Sequence, residues 1–199
     1  MLDHILLGCN DLEAGIAFVE KQTGVRAEFG GVHPGRGTCN ALLSLGDEQY
    51  LEIIAPDPEQ DRIRPWAAND LPKITDFSMP RLIGWAARCS NLESIVEDLR
   101  QAGIAVRGPS TNARRRRDGS VLTWKMATLE NDYHGILPFL IEWGPDSIHP
   151  SNDASPGCRL KRFTIAAPPV SEIERFFHSL TDRTPVEPAE TFKLIATIA

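Results

Sequence analysis

The chain of 199 residues has no run that approaches eighteen consecutive apolar residues, so the sequence predicts no transmembrane helix. Its N-terminal segment MLDHILLGCNDLEAG is too polar for a secretory signal peptide, and the apolar part of that segment is too short. We therefore expect a cytoplasmic protein with no membrane partner.

Cysteine and positive charge are also scarce. The four cysteines include no Cys-x-x-Cys pair, which argues against a disulfide framework and against a zinc ribbon. The chain has 21 Lys and Arg against 27 Asp and Glu, and its net charge is −6. An acidic chain is poorly suited to nucleic acid, so we expect no nucleic-acid partner. The run Arg114–Arg117 is the one local exception.

What the sequence does contain is a repeated pattern of strands and helices. A buried strand LDHILLG precedes an amphipathic helix that Asn10 or Asp11 can cap, and three strand-like segments follow. The same β-α-β-β-β order restarts 80 residues later. We assign the first unit to residues 1–56, a connection to 57–80 and the second unit to 81–145.

A third copy of the pattern begins after a short polar linker. The segment LKRFTIAAPPVSEIERFFHSL aligns with the opening of the chain at a shift of 158 residues. Only strand-helix-strand is predicted in residues 158–199. A lone βαβ unit cannot bury its own sheet face, so it should pack on the first two units or complete a sheet with a partner chain.

Three segments carry a family resemblance: the opening LDHI, the stretch VHPGRGTCNAL, and an R-x-D-G-x-x-L-x-W pattern in the second unit. Together with the tandem βαβββ units, they resemble the glyoxalase-like branch of the vicinal-oxygen-chelate superfamily. That superfamily includes glyoxalase I, extradiol dioxygenases and the fosfomycin- and bleomycin-resistance proteins. The resemblance implies an α+β fold in which the tandem units form one curved mixed sheet around a cup, with helices on the outer face and the partial third βαβ unit added.

The resemblance also implies a divalent metal in the cup, with one ligand from the first and fourth strand of each unit. The four positions are His4, Glu52, Gly84 and Glu142, and three of them hold residues that bind metals. One imidazole and two carboxylates suit Zn, Fe, Mn, Co or Ni, and three ligands leave positions open for substrate oxygens. In the alternative, His4 is a core histidine and the glutamates pair with arginines.

The segment His33–Thr38 is the second candidate region. Its glycines allow backbone amides to approach a ligand closely, and Arg36 can hold a carboxylate or phosphate in a bidentate fork. Asn40 shares a strand face with Thr38 and is a candidate polar group of the cup. We therefore expect His33, Arg36 and Asn40 to bind substrate. The alternative is a tight loop that needs positive φ angles.

The run Arg114–Arg117 precedes a predicted turn at Asp118-Gly119. If these two are the central turn residues, Arg115 and Arg117 share one face of the hairpin with Trp124, and the other two arginines share the opposite face. One pair should face the cup, which implies a small anionic ligand. We therefore expect Arg115, Arg117 and Trp124 to bind substrate. The alternative is that the arginines belong to a solvated edge strand.

Two function classes follow. The first is a metal-dependent lyase or isomerase acting on a small carboxylate-bearing carbonyl or hydroxy compound, with Glu142 and His134 as the catalytic candidates. The one-histidine, two-glutamate ligand set favours these reactions over oxygenation. The second class is a protein that binds and sequesters a small ligand without turnover. The cup is completed either within one chain or across a homodimer.

Overall fold

The computed structural model of the chain describes residues 1–33, 36–59, 79–116, 119–180 and 184–199. Most of the predicted connection 57–80 therefore lies outside the described residues. The elements in these ranges are β1 (Leu2–Gly8), α1 (Leu12–Thr23), β2 (Glu28–His33), β3 (Thr38–Gly46), β4 (Gln49–Pro56), β5 (Arg81–Arg88), α2 (Leu92–Gln101), β6 (Val106–Arg115), β7 (Val121–Leu129), β8 (Phe139–Trp143), β9 (Leu160–Ala167), α3 (Ser171–Leu180), β10 (Val186–Pro188) and β11 (Lys193–Ile198).

Eight strands form one curled, mixed sheet in the order β2-β3-β4-β1-β5-β8-β7-β6. Each unit places its first strand parallel to its fourth, β1 beside β4 and β5 beside β8. The two units join where β1 and β5 run antiparallel. The predicted α+β fold, with tandem units in a curved mixed sheet, is confirmed.

The two edge strands of this sheet come close to each other. A Cβ atom placed on Gly31 of β2 would lie 3.4 Å from Nη1 of Arg114 on β6. Nη2 of Arg36, just past β2, donates to Oδ1 of Asn112 on β6 at 3.4 Å. The sheet therefore curls far enough to enclose its concave face within a single chain.

The helices begin and end at residues with suitable local chemistry. Asp11 caps α1, because its side chain accepts from the backbone N–H of Ala14. Gly24 ends α1 in the left-handed conformation, with φ of 74°. Asn91 caps α2 in the same way as Asp11 caps α1, by accepting from the N–H of Ser94. Both helices start at the same point of their units, which positions them alike on the convex face.

The main core lies between these helices and the convex face of the sheet. On β1, Ile5 and Leu7 point into this core, while His4 and Leu6 point to the concave side. Both faces of β1 and β4 are buried, so their sequences read as nearly continuous apolar runs rather than alternating ones. No helix in the described ranges has the length and apolar character needed to cross a membrane.

The third unit packs on the first two units of the same chain. Its strands form a separate sheet in the order β10-β9-β11, one strand more than the predicted strand-helix-strand. Phe163 of β9 and Phe177 of α3 pack against the ring of Trp85 on β5, with centroid distances of 5.3 and 6.3 Å. The apolar face of this small sheet is therefore buried against the convex side of the large one.

Candidate functional site

The concave side of the large sheet encloses a cavity of about 290 Å³. This is close to the lower end of the volumes that hold small molecules in proteins. Polar side chains from β1, β2, β3, β4 and β6 reach the cavity, and aromatic and aliphatic side chains form the rest of its wall.

His4 lines the cavity in a fixed orientation. Its Nδ1 lies 2.6 Å from Oδ1 of Asp3, which is fully buried. Oδ2 of Asp3 accepts from Nε1 of Trp143 at 2.9 Å and lies 3.1 Å from Nε2 of His149. Burial alone raises the pKa of Asp3, but hydrogen bonds from His149 and His4, together with their charges, bring that pKa well below its usual range. An ionised carboxylate only accepts, so Nδ1 of His4 carries a hydrogen and Nε2 is left for the cavity.

Glu52 of β4 is a buried carboxylate that also lines the cavity. Its Oε2 lies 3.6 Å from Nε2 of His4, and its Oε1 lies 3.6 Å from Nε2 of His33. Nδ2 of Asn40 donates to Oε1 at 2.6 Å. The two imidazoles therefore approach different oxygens of one carboxylate, which the asparagine holds in place.

His33 is held on its other side by Thr38, whose Oγ1 lies 2.8 Å from Nδ1. Nε2 of His33 lies 3.4 Å from Nδ2 of Asn40, an amide nitrogen that can only donate. His33 thus accepts at Nε2 and carries its hydrogen on Nδ1. Burial lowers the pKa of His33, and the charges of Arg114 and Arg36 act in the same direction against the opposing effect of Glu52. A neutral imidazole beside Glu52 follows from these effects.

The arginine run contributes differently from the sequence prediction. The N–H of Arg116 donates to the carbonyl of Ser120, and the N–H of Gly119 donates to the carbonyl of Arg116. Three residues therefore separate the paired ends of the hairpin, not two. This one-residue difference moves the register so that Arg114 stands opposite Leu122. Because opposite residues share a face, Arg114 lines the cavity with Leu122.

Arg115, which was predicted to bind substrate, lies outside the cavity wall for the same reason. Arg115 stands opposite Val121, is exposed and is not part of the cavity wall. Its Nη1 donates to the carbonyl of Gly119 at 3.2 Å. Arg117 lies outside the described residues. Arg36 does line the cavity, as do His33 and Asn40.

Glu142, predicted as a metal ligand and catalytic residue, is not part of the cavity wall. Its Oε2 accepts from the backbone N–H of Leu92 at 2.6 Å, at the first turn of α2 on the convex side. The neighbouring Ile141 and Trp143 line the cavity in its place. The physical reason is the pleat of β8: a one-residue change in register turns a side chain to the opposite face.

The three-ligand metal site implied by the resemblance is therefore not formed by the residues of the cavity. Gly84 stands opposite Leu6 on the cavity face and brings no ligand atom. His4 and Glu52 alone remain of the predicted set. Among the described residues, no group of three or more His, Cys, Asp or Glu side chains is arranged to hold a metal ion.

His134 was a catalytic candidate, and the structure places it outside the cavity. It is exposed and adopts a left-handed backbone, with φ of 60°, directly after Tyr133 with φ of 53°. This turn directs the preceding Asp132 into the cavity wall instead. Burial raises the pKa of Asp132 even though the N–H groups of Gly135 and His134 hydrogen-bond to it.

Trp124 lies in the cavity wall, as part of an apolar surface. Its ring packs on that of Trp143 with centroids 6.0 Å apart, and Phe139 packs edge-on against His4 at 5.3 Å. Ile83 joins Phe139 in a small apolar cluster on the same face. The cavity thus combines a polar cluster around Glu52 with an apolar wall from β5, β7 and β8.

Sequence reasoning missed Asp3 and Asp132, and it left open whether Arg114 or Arg115 faces the cavity. Asp3 had a local signal, since a carboxylate next to a histidine on an otherwise apolar strand needs buried partners. Arg114 depended on the hairpin register. Asp132 depended on two left-handed residues that no local pattern announces.

The comparisons with known proteins agree with this geometry. The family model of the glyoxalase-like domain matches residues 2–181. A hypothetical protein from Staphylococcus aureus superposes with a TM-score of 0.72 at 14% identity, over 98% of this chain and 90% of that one. No curated protein matches the chain.

Methylmalonyl-CoA epimerases are also similar. The Streptomyces coelicolor enzyme in complex with 2-nitronate-propionyl-CoA has a TM-score of 0.50 and 21% identity, covering 74% of this chain and 97% of that one. The Mycobacterium tuberculosis enzyme has a TM-score of 0.47 and 19% identity, covering 72% and 87%. At such identities the likeness concerns the fold alone. With the family model spanning nearly all of its length, the chain belongs to the glyoxalase-like domain family.

Proposed function

We propose that the chain is an isomerase or lyase that moves protons on a small carboxylate-bearing carbonyl or hydroxy compound. One observation carries the proposal. The buried carboxylate of Glu52 faces the cavity between two imidazoles, each 3.6 Å from one of its oxygens. Side chains with pKa values tunable toward neutrality, placed around one cavity, are what general acid–base catalysis requires.

In the proposed reaction, Glu52 removes a proton from the carbon next to the substrate carbonyl. The C–H bond breaks, its electron pair moves toward the carbonyl oxygen, and the proton resides on Glu52. Asn40 holds Glu52 in position through its 2.6 Å hydrogen bond. In a hydroxy carbonyl compound, returning the proton to the former carbonyl carbon, while the hydroxyl proton moves to the carbonyl oxygen, completes an isomerisation. Where the carbon on the other side of the deprotonated one bears a leaving group, loss of that group with its electron pair and return of the enolate electrons to form a C=C bond complete an elimination.

His4 is placed to move the second proton, the one on the substrate oxygen. Its Nε2 is the nitrogen on the cavity side because Asp3 holds the hydrogen of Nδ1. When Nε2 takes a proton, the ring becomes positive, and the ionised Asp3 stabilises that charge. No step of this reaction passes through a metal ion, since Glu142 and Gly84 leave the implied ligand set incomplete.

The test is solvent exchange followed by proton NMR in D₂O. A panel of small 2-oxo and 2-hydroxy acids is incubated with the chelator-dialysed wild type and with Glu52→Gln, a variant that keeps the size of the side chain. We expect the wild type to exchange the hydrogen next to the carbonyl of at least one compound. The Glu52→Gln variant should be slower by roughly 100-fold or more, the usual contribution of a positioned base.

Two results would contradict the proposal. Equal exchange rates for wild type and Glu52→Gln would remove Glu52 from the chemistry. Exchange that vanishes after chelator dialysis and returns with one divalent ion per chain would place a metal in the reaction. Unchanged melting temperature of Glu52→Gln serves as the folding control.

A second candidate is a binding protein that sequesters a small anion without turnover. The observation that favours it is the loss of two of the four ligand positions, Gly84 lacking a side chain and Glu142 facing the other way. This candidate predicts a rise in melting temperature with one of the carboxylates and no exchange above the buffer rate.

A further inference from the structure

We infer that Arg114 anchors the carboxylate of the substrate and that the rest of the substrate is an apolar, alkyl or aryl body packed against Trp124 and Trp143. This inference rests on the proposed function and names its substrate class: a 2-oxo or 2-hydroxy acid with a hydrophobic side chain. It decides which arginine of the run holds the anion, a choice that the sequence left open, and it adds a specificity for the rest of the substrate.

Arg114 lines the cavity, whereas the following Arg115 and Arg116 do not. The hairpin register places Arg114 opposite Leu122, and two residues earlier Asn112 stands opposite Trp124. All four of these side chains line the cavity. The alternation of the strand turns the following Arg115 to the other face, and Arg115 is not part of the cavity wall.

The guanidinium groups of the other described arginines of the run already have partners within the protein. Arg115 donates to the carbonyl of Gly119. Arg116 forms an ion pair with Asp153 and donates to the carbonyl of Ile148. These contacts fix the hairpin and leave neither guanidinium available to a ligand in the cavity.

The guanidinium of Arg114, by contrast, forms no hydrogen bond or ion pair within the part of the chain that the structure describes. It is partly buried, at the edge of the polar cluster. Its charge acts on both His33 and Tyr50, which places the guanidinium near the wall formed by β2 and β4. A partly desolvated guanidinium that has no protein acceptor is suited to a planar anion, because it can give two parallel hydrogen bonds to a carboxylate.

The carboxylate of Glu52 does not act as an acceptor for the guanidinium of Arg114. It lies within 4.0 Å of His4 and His33 but not of Arg114, and its Oε1 is held by Asn40. Arg36 is also committed in part, since its Nη2 donates to Oδ1 of Asn112. The free anion-binding capacity of the cavity is therefore concentrated at Arg114.

The remaining wall of the cavity is apolar, and this limits which ligands it can bind. Trp124 and Trp143 pack at 6.0 Å, and Leu122, Ile83 and Phe139 extend the same surface. A hydroxylated ligand against this wall would lose hydrogen bonds to water and gain none from the protein. An alkyl or aryl group instead gains from removing apolar surface from water. Charge at one side and apolar surface at the other define an amphipathic acid.

The experiment measures binding by isothermal titration calorimetry with three probes: phenylpyruvate, its methyl ester and pyruvate. The proteins are wild type, Arg114→Gln and the matched control Arg115→Gln, one residue away on the opposite face. We expect wild type and Arg115→Gln to bind phenylpyruvate roughly 10- to 100-fold more tightly than the ester, the effect of hydrogen bonds to a charged group. In Arg114→Gln this preference should disappear.

Each other outcome overturns part or all of the inference. Equal binding of the acid by Arg114→Gln and Arg115→Gln would remove Arg114 as the anchor. Pyruvate bound as tightly as phenylpyruvate would remove the apolar body. No binding of any probe by the folded wild type would overturn the substrate class. The proposed proton transfer stands or falls separately, because Glu52→Gln should still bind phenylpyruvate while losing hydrogen exchange.

Discussion

Nδ1 of His4 lies 2.6 Å from Oδ1 of Asp3, and this contact between adjacent residues decides which imidazole nitrogen reaches the cavity. Adjacent side chains of a strand normally point to opposite faces. Here the fully buried carboxylate of Asp3 contacts the ring of its neighbour while Trp143 and His149 hold its other oxygen. His4 is thereby oriented by its neighbour Asp3, which is itself held by two residues from a distant part of the chain.

Replacing Asp3 by Asn should destabilise the protein by about 3 kcal/mol, because it removes the charge that compensates three buried donors. The pKa of Asp3 lies below its usual range in the folded chain. Its stabilising contribution is therefore present above about pH 4 and is lost as the pH falls. Urea denaturation at pH 7 and at pH 3 measures both effects.

The exposed Asp98→Asn on α2 is the matched control, with an expected change below about 0.5 kcal/mol. A loss at Asp3→Asn no larger than in this control would contradict the role of Asp3. A loss that stays the same at pH 3 and pH 7 would contradict the ionised state assigned to it.

Glu142→Ala should lower stability by about 1 kcal/mol, since it removes a carboxylate that accepts from the N–H of Leu92 at the start of a helix. Binding of phenylpyruvate should not change, because the side chain lies on the convex face. Urea denaturation and calorimetry provide the two numbers. Weakened binding with unchanged stability would contradict the placement of Glu142 on the convex face and indicate that it lies in the cavity.

Gly30→Ala should disturb the polar cluster around Glu52. A Cβ atom on Gly30 would lie 2.5 Å from Oδ1 of Asn40 and 2.9 Å from Cγ of Leu42. Asn40 must then move, which weakens its hydrogen bond to Glu52, and the crowding should cost about 2 kcal/mol. We expect slower hydrogen exchange on the substrate in addition to lower stability.

A stability-matched control separates these two effects. Gly144→Ala would place its Cβ against Thr123, away from the cavity wall. It should destabilise the fold and leave exchange by the folded fraction at the wild-type rate. Equal exchange by the two variants would show that Gly30 acts on stability alone.

The cysteines should differ in reactivity. Burial raises the pKa of Cys9 to about 11, and Cys39 and Cys158 are also buried. Only Cys89 is partly exposed among the four. Because the thiolate is the nucleophile, a thiol reagent at pH 8 should label Cys89 alone within minutes, and all four after denaturation. Fast labelling of Cys9, read by peptide mass spectrometry, would contradict its buried placement.

The repeat, and with it the fold class, follows from the sequence because each βαβββ unit carries local signals. Capping at Asp11 and Asn91, the stop at Gly24 and the apolar strands all depend on neighbours within a few residues. Such short-range terms act the same way in any tertiary setting. The family resemblance added the way in which two units close into one curved sheet.

The site was predictable only in part. His4, His33, Asn40, Glu52 and Trp124 line the cavity from strands whose facing follows from simple alternation, and Arg36 lines it from the turn between β2 and β3. Arg115, Glu142 and His134 do not line it, and each depended on a register or a turn. A one-residue change in register reverses the face of every side chain on the strand concerned.

The sequence by itself determined two tandem units with a partial third, a net negative chain, and a histidine and a glutamate on strands that face inward. Only the tertiary structure decided that Arg114 rather than Arg115 reaches the cavity, that Glu142 caps a helix, and that Asp3 orients His4. The physical reason is the distance along the sequence between the groups that interact. Helix caps and strand patterns are set by local energies, whereas strand register and buried hydrogen-bond networks are set by partners up to 146 residues away, as between His149 and Asp3.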